Sequence, residues 1–193
     1  MNIRIKKNLK KLVAVVLIAG TIVGEGAAVV SEAATINPKG SANVSESAKQ
    51  LQNSLKSYKE KQSQQGATQE KINKLVSLAN AQKGKPYKWG ATGPSSFDCS
   101  GLTSYVYKNA IGVTIPRVSR DQATAGVKVD KSSMKVGDLV FFGSGGSISH
   151  VGMYVGDSKF IHAPQTGDVV KVTSMASGTN YNNRFITARR IVQ

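Results

Sequence analysis

The sequence predicts an α+β domain in which helices come first and an antiparallel sheet follows. Three observations carry this. Apolar residues recur at helical spacing at Ile72, Leu75, Val76 and Ala79. A second helix is bracketed by Asp98, a good N-cap, and by Gly112, a good stop. From Val113 onward the apolar residues fall into short strand-like runs separated by Gly and Ser.

Taken in order, the chain begins with Arg4, Lys6, Lys7, Lys10 and Lys11, then an apolar run from Leu12 to Val23. Ser31-Glu32-Ala33 fits a small-x-small cleavage site, so residues 1–33 are expected to be an export signal and the mature chain to start near Ala34. The apolar core is short beside the roughly 20 residues a spanning helix needs. Residues 34–66 are polar, rich in Ser, Gln and Lys. Val44, Ala48, Leu51, Leu55 and Tyr58 form an a/d stripe there. Two heptads are few for a coiled coil, which leaves a solvated linker helix or a short docking helix.

The folded domain is expected over residues 67–193. Its first helix has a cap near Thr68 and a stop at Gly84, and Pro86-Tyr87-Lys88-Trp89-Gly90 forms an aromatic loop. In the helix that starts at Cys99, Leu102, Val106 and Ala110 line the inner face, and Phe97 and Leu102 occupy hydrophobic-staple positions. Strands are expected at 127–129, 138–142, 150–155, 159–163, 169–172 and 185–192, as a meander with a Gly/Ser-rich loop over 143–149.

The whole chain carries net charge +15. Beyond residue 33, 21 basic and 9 acidic residues remain, about +12. The basic residues are scattered and aromatics are few, so no stacking platform or basic recognition helix is present, and nucleic acid is not an expected partner. For an exported chain the natural polyanions are cell-wall polymers. A monomer is expected.

The chain has one cysteine and two histidines. One thiol cannot form a disulfide within the chain, which leaves a reactive group, an intermolecular link or a buried inert side chain. At a helix start, unpaired N–H groups and the helix dipole are expected to lower its pKa and could hold an oxyanion. Strand parity places the histidines. Val151, Met153 and Val155 face the core, so His150, Gly152 and Tyr154 face the other way. A three-residue loop at Gly156-Asp157-Ser158 sets Gly152 opposite His162 and makes the histidines diagonal neighbours. A two-residue loop would send the rings to opposite faces. On that geometry His150 is the base for Cys99 and His162 its orienter. The same three residues could instead ligate zinc, although no close-spaced ligand pair supports this. No metal and no cofactor is expected.

Four blocks, Phe97-Asp98-Cys99-Ser100-Gly101-Leu102, Gly137-Asp138-Leu139-Val140-Phe141-Phe142, His150-Val151-Gly152-Met153-Tyr154-Val155-Gly156 and Ile161-His162-Ala163, resemble the NlpC family of bacterial cell-wall peptidases. The resemblance covers about 68–192 and keeps the motif order. The resemblance implies a papain-like thiol hydrolase fold with a Cys99-His150-His162 triad. It implies peptidoglycan stem peptides as substrate, cut between D-glutamate and a diamino acid. Tyr87 matches the family's tyrosine beside the nucleophile, and Arg117 and Ser119 match a motif lining the cleft. Asp98 and Ser100 flank the nucleophile and join these three as candidate substrate contacts. Lys135-Val136-Gly137-Asp138 lacks the proline often found before Gly-Asp, which touches a turn and not the chemistry. No wall-binding repeat is recognised.

Overall fold

The structure is a computed structural model that describes residues 41–193, with side chains from Glu46 onward. The expected export signal and the start of the polar segment lie outside the described residues. Ala48–Gln193 forms one compact unit.

Helix α1 runs unbroken from Ser41 to Asn80. The helix start expected at Thr68 is therefore absent: the Thr68 hydroxyl instead donates to the Gln193 carbonyl at 2.9 Å. Gly66 lies within the helix. A lone helical glycine costs only about 1 kcal/mol relative to Ala, and the flanking Gln, Lys and Ala favour helix. Leu75 and Ala79 of α1 are buried, whereas Leu51, Leu55 and Tyr58 on its earlier turns are half or more exposed.

Helix α2 spans Cys99–Ile111, with Asp98 as N-cap and Gly112, at φ 72°, as C-cap, as its sequence predicts. A one-turn helix, α3, covers Ser119–Gln122. The strands are β1 (Val127–Val129), β2 (Leu139–Ser144), β3 (Ser147–Gly156), β4 (Lys159–His162) and β5 (Lys171–Ser174). A short helix α4 (Asn180–Arg184) leads into β6 (Phe185–Arg190). The single sheet has the order β1-β6-β2-β3-β4-β5, antiparallel throughout. The expected meander thus covers β2 to β5 only, because the last strand returns to insert between β1 and β2. The expected 143–149 loop shrinks to a turn at Gly145-Gly146, whose φ of 54° and 79° lets β2 and β3 zip up to Ser144 and Ser147.

Alternation along the strands builds two apolar layers. Leu139, Phe141, Val151, Met153 and Ile161 join Leu75, Phe97, Leu102, Val106 and Tyr107 on the helix side. Val140, Phe142, Phe160 and Ala188 form the outer layer with Met175, Tyr154, Tyr181 and Phe185.

Asp138 explains the Gly-Asp start of β2. Its carboxylate is 2% exposed. It accepts from Arg190 Nε and Nη2 at 2.8 and 2.7 Å and from the Lys135 amide at 2.7 Å. The Tyr107 hydroxyl donates to the adjoining Gly137 carbonyl, pinning α2 to the strand entry. Replacing Arg190 by Met strands this carboxylate in the interior. Urea unfolding is expected to show a loss of about 3 kcal/mol, and a loss below about 1 kcal/mol would contradict the pairing.

Candidate active site

Cys99 opens α2, and the residue before it organises the helix start. Asp98 Oδ1 accepts the Gly101 amide at 2.7 Å, while Oδ2 accepts the Gly90 amide at 2.9 Å. Arg117 closes the cluster as a fork: its Nη1 and Nη2 donate to the two Asp98 oxygens at 3.0 and 2.6 Å, and Nη1 also donates to Ser100 Oγ at 2.9 Å. Gly101 is required because a Cβ there would lie 2.1 Å from the Ala91 carbonyl oxygen. The aromatic loop can therefore press against the first turn. Cys99 thus borders a cleft of about 280 Å³ formed with Trp89, Ser100, Arg117, Ser119 and Ser149. A larger cavity of about 500 Å³, between α1, β1 and β6, contains none of these residues.

Sequence reasoning missed Gln122. It is wholly buried. Its Nε2 donates to the carbonyls of Pro116 and Ser100 at 2.7 and 3.1 Å, and its Oε1 accepts from Thr103 at 2.9 Å. It fixes the segment that carries Arg117 to the first turn of α2. A buried glutamine has no local sequence signal beyond its place five residues after a proline-arginine pair.

The two histidines meet. His150 Nε2 and His162 Nδ1 are 2.8 Å apart, and His162 Nε2 lies 2.8 Å from Thr173 Oγ1. Thr173 was also missed. It sits diagonal to His162 across the β4–β5 ladder, in which His162 pairs with Lys171 and Phe160 with Thr173. The relay leaves Nδ1 of His150 as the ring nitrogen not committed to His162.

The reason the histidines meet differs from the expected one. The hairpin closes with a two-residue turn, Asp157-Ser158, both at positive φ of 50° and 52°, between Gly156 and Lys159. By itself that turn puts the rings on opposite faces. A bulge between Tyr154 and Gly156 absorbs one residue and restores the pairing of Tyr154 with Phe160 and Met153 with Ile161. Gly152 supplies the remaining space: a Cβ there would lie 2.5 Å from Phe160 Cδ2 and 3.2 Å from His162 Cβ.

The imidazoles lie in the outer layer and the thiol on the helix side. The Val151 amide, next in sequence to His150, faces the thiol. Tyr181 packs against both imidazoles, 6.0 Å from His150 and 5.2 Å from His162, ring to ring. Phe160 stacks at 4.5 Å on His162. Burial, followed by the charge of Arg184, pushes His150 down to about 4. Burial, followed by the neighbouring His150, pushes His162 down as well. Burial also pushes the Cys99 thiol up, outweighing the Val151 and Ser100 amides that favour the thiolate. This overturns the expectation of a lowered thiol pKa: the helix-end amides are present, but desolvation wins. Tyr87 lies near the thiol and is raised by burial and then by the negative charge of Cys99. Among the described residues, no group of three or more His, Cys, Asp or Glu side chains is placed to hold a metal ion.

A cysteine at a helix start, set against an antiparallel sheet that carries a histidine pair, defines the papain-like α+β fold. The chain belongs to the NlpC/P60 family, whose profile matches residues 84–190. Murein DD-endopeptidase MepH of Escherichia coli is 40% identical over 133 residues, covering 66% of this chain and 47% of that protein. Probable endopeptidase p60 of Listeria monocytogenes is 49% identical over 92 residues, covering 47% of this chain and 19% of that protein. This chain thus spans less than half the length of either relative. Among solved structures, an NlpC/P60 family protein from Bacillus cereus is 37% identical with a TM-score of 0.60, over 63% of this chain and 40% of that one. The NlpC/p60 domain of the peptidoglycan hydrolase SagA is 39% identical with a TM-score of 0.55, over 62% of this chain and 97% of the domain.

Two expectations follow. Gly152→Ala forces the histidines apart without altering either, so kcat/KM is expected to fall at least about tenfold while the thermal midpoint drops by only a few degrees. An unchanged rate would show that the spacing does not matter. Stability is expected to fall as pH drops from about 6.5 toward 4. In that window unfolded histidine takes up a proton and folded His150, at about 4, does not, so protons favour the unfolded chain. Urea midpoints across this range should flatten in His150→Gln; an identical slope would place the acid sensitivity elsewhere.

Proposed function

We propose that the protein is an exported thiol endopeptidase that hydrolyses peptidoglycan stem peptides between D-glutamate and a diamino acid. One observation carries the reading: His162 occupies Nε2 of His150 at 2.8 Å, leaving Nδ1 for a thiol that starts a helix beside Val151. Membership of the NlpC/P60 family, and the murein and peptidoglycan hydrolases among its relatives, support the substrate. Residues 1–33 serve as the export signal, 34–66 as a polar linker or short docking helix and 67–193 as the hydrolase domain. The net charge of about +12 beyond residue 33 suits an anionic wall.

The resting pair is a neutral thiol and a neutral imidazole. As the Cys99 sulfur attacks the scissile carbonyl, its proton passes to His150 Nδ1. The imidazolium keeps a proton on Nε2, so His162 Nδ1 accepts and His162 Nε2 donates to Thr173. Backbone N–H groups of the first turn of α2 receive the oxyanion. Collapse breaks the C–N bond, and His150 returns its proton to the leaving amine. Water, deprotonated by His150, then cleaves the thioester and frees the D-glutamyl carboxylate. Tyr87, Ser100 and Ser119 contact the substrate, and Asp98 with Arg117 holds the cleft in shape. No cofactor enters these steps.

A second reading concerns the bond alone. MepH is named a DD-endopeptidase and is 40% identical over two thirds of this chain, which favours hydrolysis between two D-configured centres.

Mass spectrometry of purified stem peptides digested by the full chain and by Cys99→Ala separates these. A Cys99-dependent product ending in D-glutamate is expected, with turnover lost at least about 1,000-fold in Cys99→Ala. A Cys99-dependent product from a cross-link bond would install the second reading. Activity that survives in Cys99→Ala would refute the thiol mechanism.

A further inference from the structure

The cavity of about 500 Å³ between α1, β1 and β6 takes no part in the chemistry above. Its floor is aliphatic, formed by Ile72, Val127, Val129, Val136 and Val192. Val127 is 51% exposed, although its strand pairing with Arg190 asks only for backbone. Close-packed interiors leave few voids larger than a water molecule, so an apolar hollow of this size has the form of a ligand pocket. The polar groups of its wall are spent on one another. The Thr68 hydroxyl donates to the Gln193 carbonyl at 2.9 Å, and Arg190 Nη2 donates to Asp138 and to the Ser133 carbonyl at 2.7 and 3.0 Å.

Lysine amines are what remains. Lys128 and Lys135 stand at this cavity, and Lys61 and Lys71 at an adjoining hollow that shares Thr68, Ile72, Lys135 and Gln193 with it. Among the described residues none of the four pairs with a carboxylate, and Asp130 is the one unpaired acidic side chain in either lining. The rim therefore selects an anion. No aromatic side chain lines either hollow, so a nucleobase finds no face to stack on. The aliphatic floor offers no hydrogen bonds to sugar hydroxyls, which are costly to bury unpaired. A flexible hydrocarbon chain meets neither objection. We propose that this cavity binds an anionic amphiphile, with an alkyl chain against the valines and a phosphate or carboxylate head among the lysines. Burial of the chain supplies affinity, and the lysines set the sign of the head. A lipid in a bilayer and a soluble alkyl phosphate share this chemistry.

Calorimetric titration of the full chain with hexyl, octyl and decyl phosphate, each below its micelle concentration, tests the proposal. Two added methylenes are expected to tighten binding about tenfold. Octanol, which lacks the charge, is expected to bind about tenfold more weakly than octyl phosphate. Val127→Trp, whose indole fills the mouth, should weaken octyl phosphate at least about tenfold. Lys128→Gln/Lys135→Gln should bring octyl phosphate down to the affinity of octanol; these side chains are exposed, so this variant carries the test if Val127→Trp does not fold. Inorganic phosphate binding as tightly as decyl phosphate would reduce the site to surface charge and overturn the proposal. So would an alkyl phosphate affinity unmoved in both variants. A dimer in sedimentation that Val127→Trp dissociates would seat a second copy in the cavity and overturn it too. Vesicles of phosphatidylglycerol, with phosphatidylcholine as baseline, separate the sources. Cosedimentation lost in Val127→Trp supports the site with a bilayer lipid as occupant; alkyl phosphate binding without cosedimentation supports it with a soluble one. Stem-peptide cleavage is not read, so the outcome is independent of the function proposed above.

Discussion

The carboxylate of Asp98 is the point on which the site depends. It caps α2 through Gly101, anchors the aromatic loop through Gly90 and holds the Arg117 fork. Three segments between Gly90 and Arg117 therefore take their positions from one side chain that is 6% exposed. Because Cys99 is the next residue, the thiol's place is set by the same contacts. A carboxylate so enclosed is stable only with every lone pair answered. Here two backbone amides and a guanidinium answer them, so the negative charge next to the nucleophile is held in place although Arg117 itself reaches solvent.

Burial decides the chemistry of the other half of the site. The histidines sit among Phe142, Phe160 and Tyr181. Water is excluded, imidazolium is penalised and the resting site stays neutral. A charge created there during attack is poorly screened, so the fixed dipoles of the helix start and the His162–Thr173 relay act on it at full strength. The cost of generating charge and the strength of its stabilisation share one origin, the apolar enclosure.

What could be read from the sequence follows the range of the forces. Asp98, Cys99 and Gly112 define α2 by contacts within a few residues, and the sequence places that helix correctly. Strand parity reaches the shared face of His150 and His162 only because a bulge after Tyr154 offsets a turn one residue shorter than expected. The failures are non-local or cumulative. Gly66 and Thr68 look like a boundary, yet the summed preference of the flanking residues carries α1 through them. The place of β6 between β1 and β2 is set by a return across the domain that no local pattern encodes. Thr173 and Gln122 matter only through partners far along the chain. The thiol's raised pKa depends on how deeply the first turn is buried, which neither a cap nor a dipole reports.

The bulge at the end of β3 has a bearing on how this hairpin can change over time. A two-residue turn and a one-residue bulge together make an odd offset, and the meeting of the histidines depends on that oddness. Gain or loss of a single residue anywhere between His150 and His162 inverts one ring with respect to the other. Changes by two, or a lost bulge balanced by a lengthened turn, leave them facing. Length variation among descendants of this chain is therefore quantised at this hairpin, while the exposed turns of α1 are free to drift in single steps.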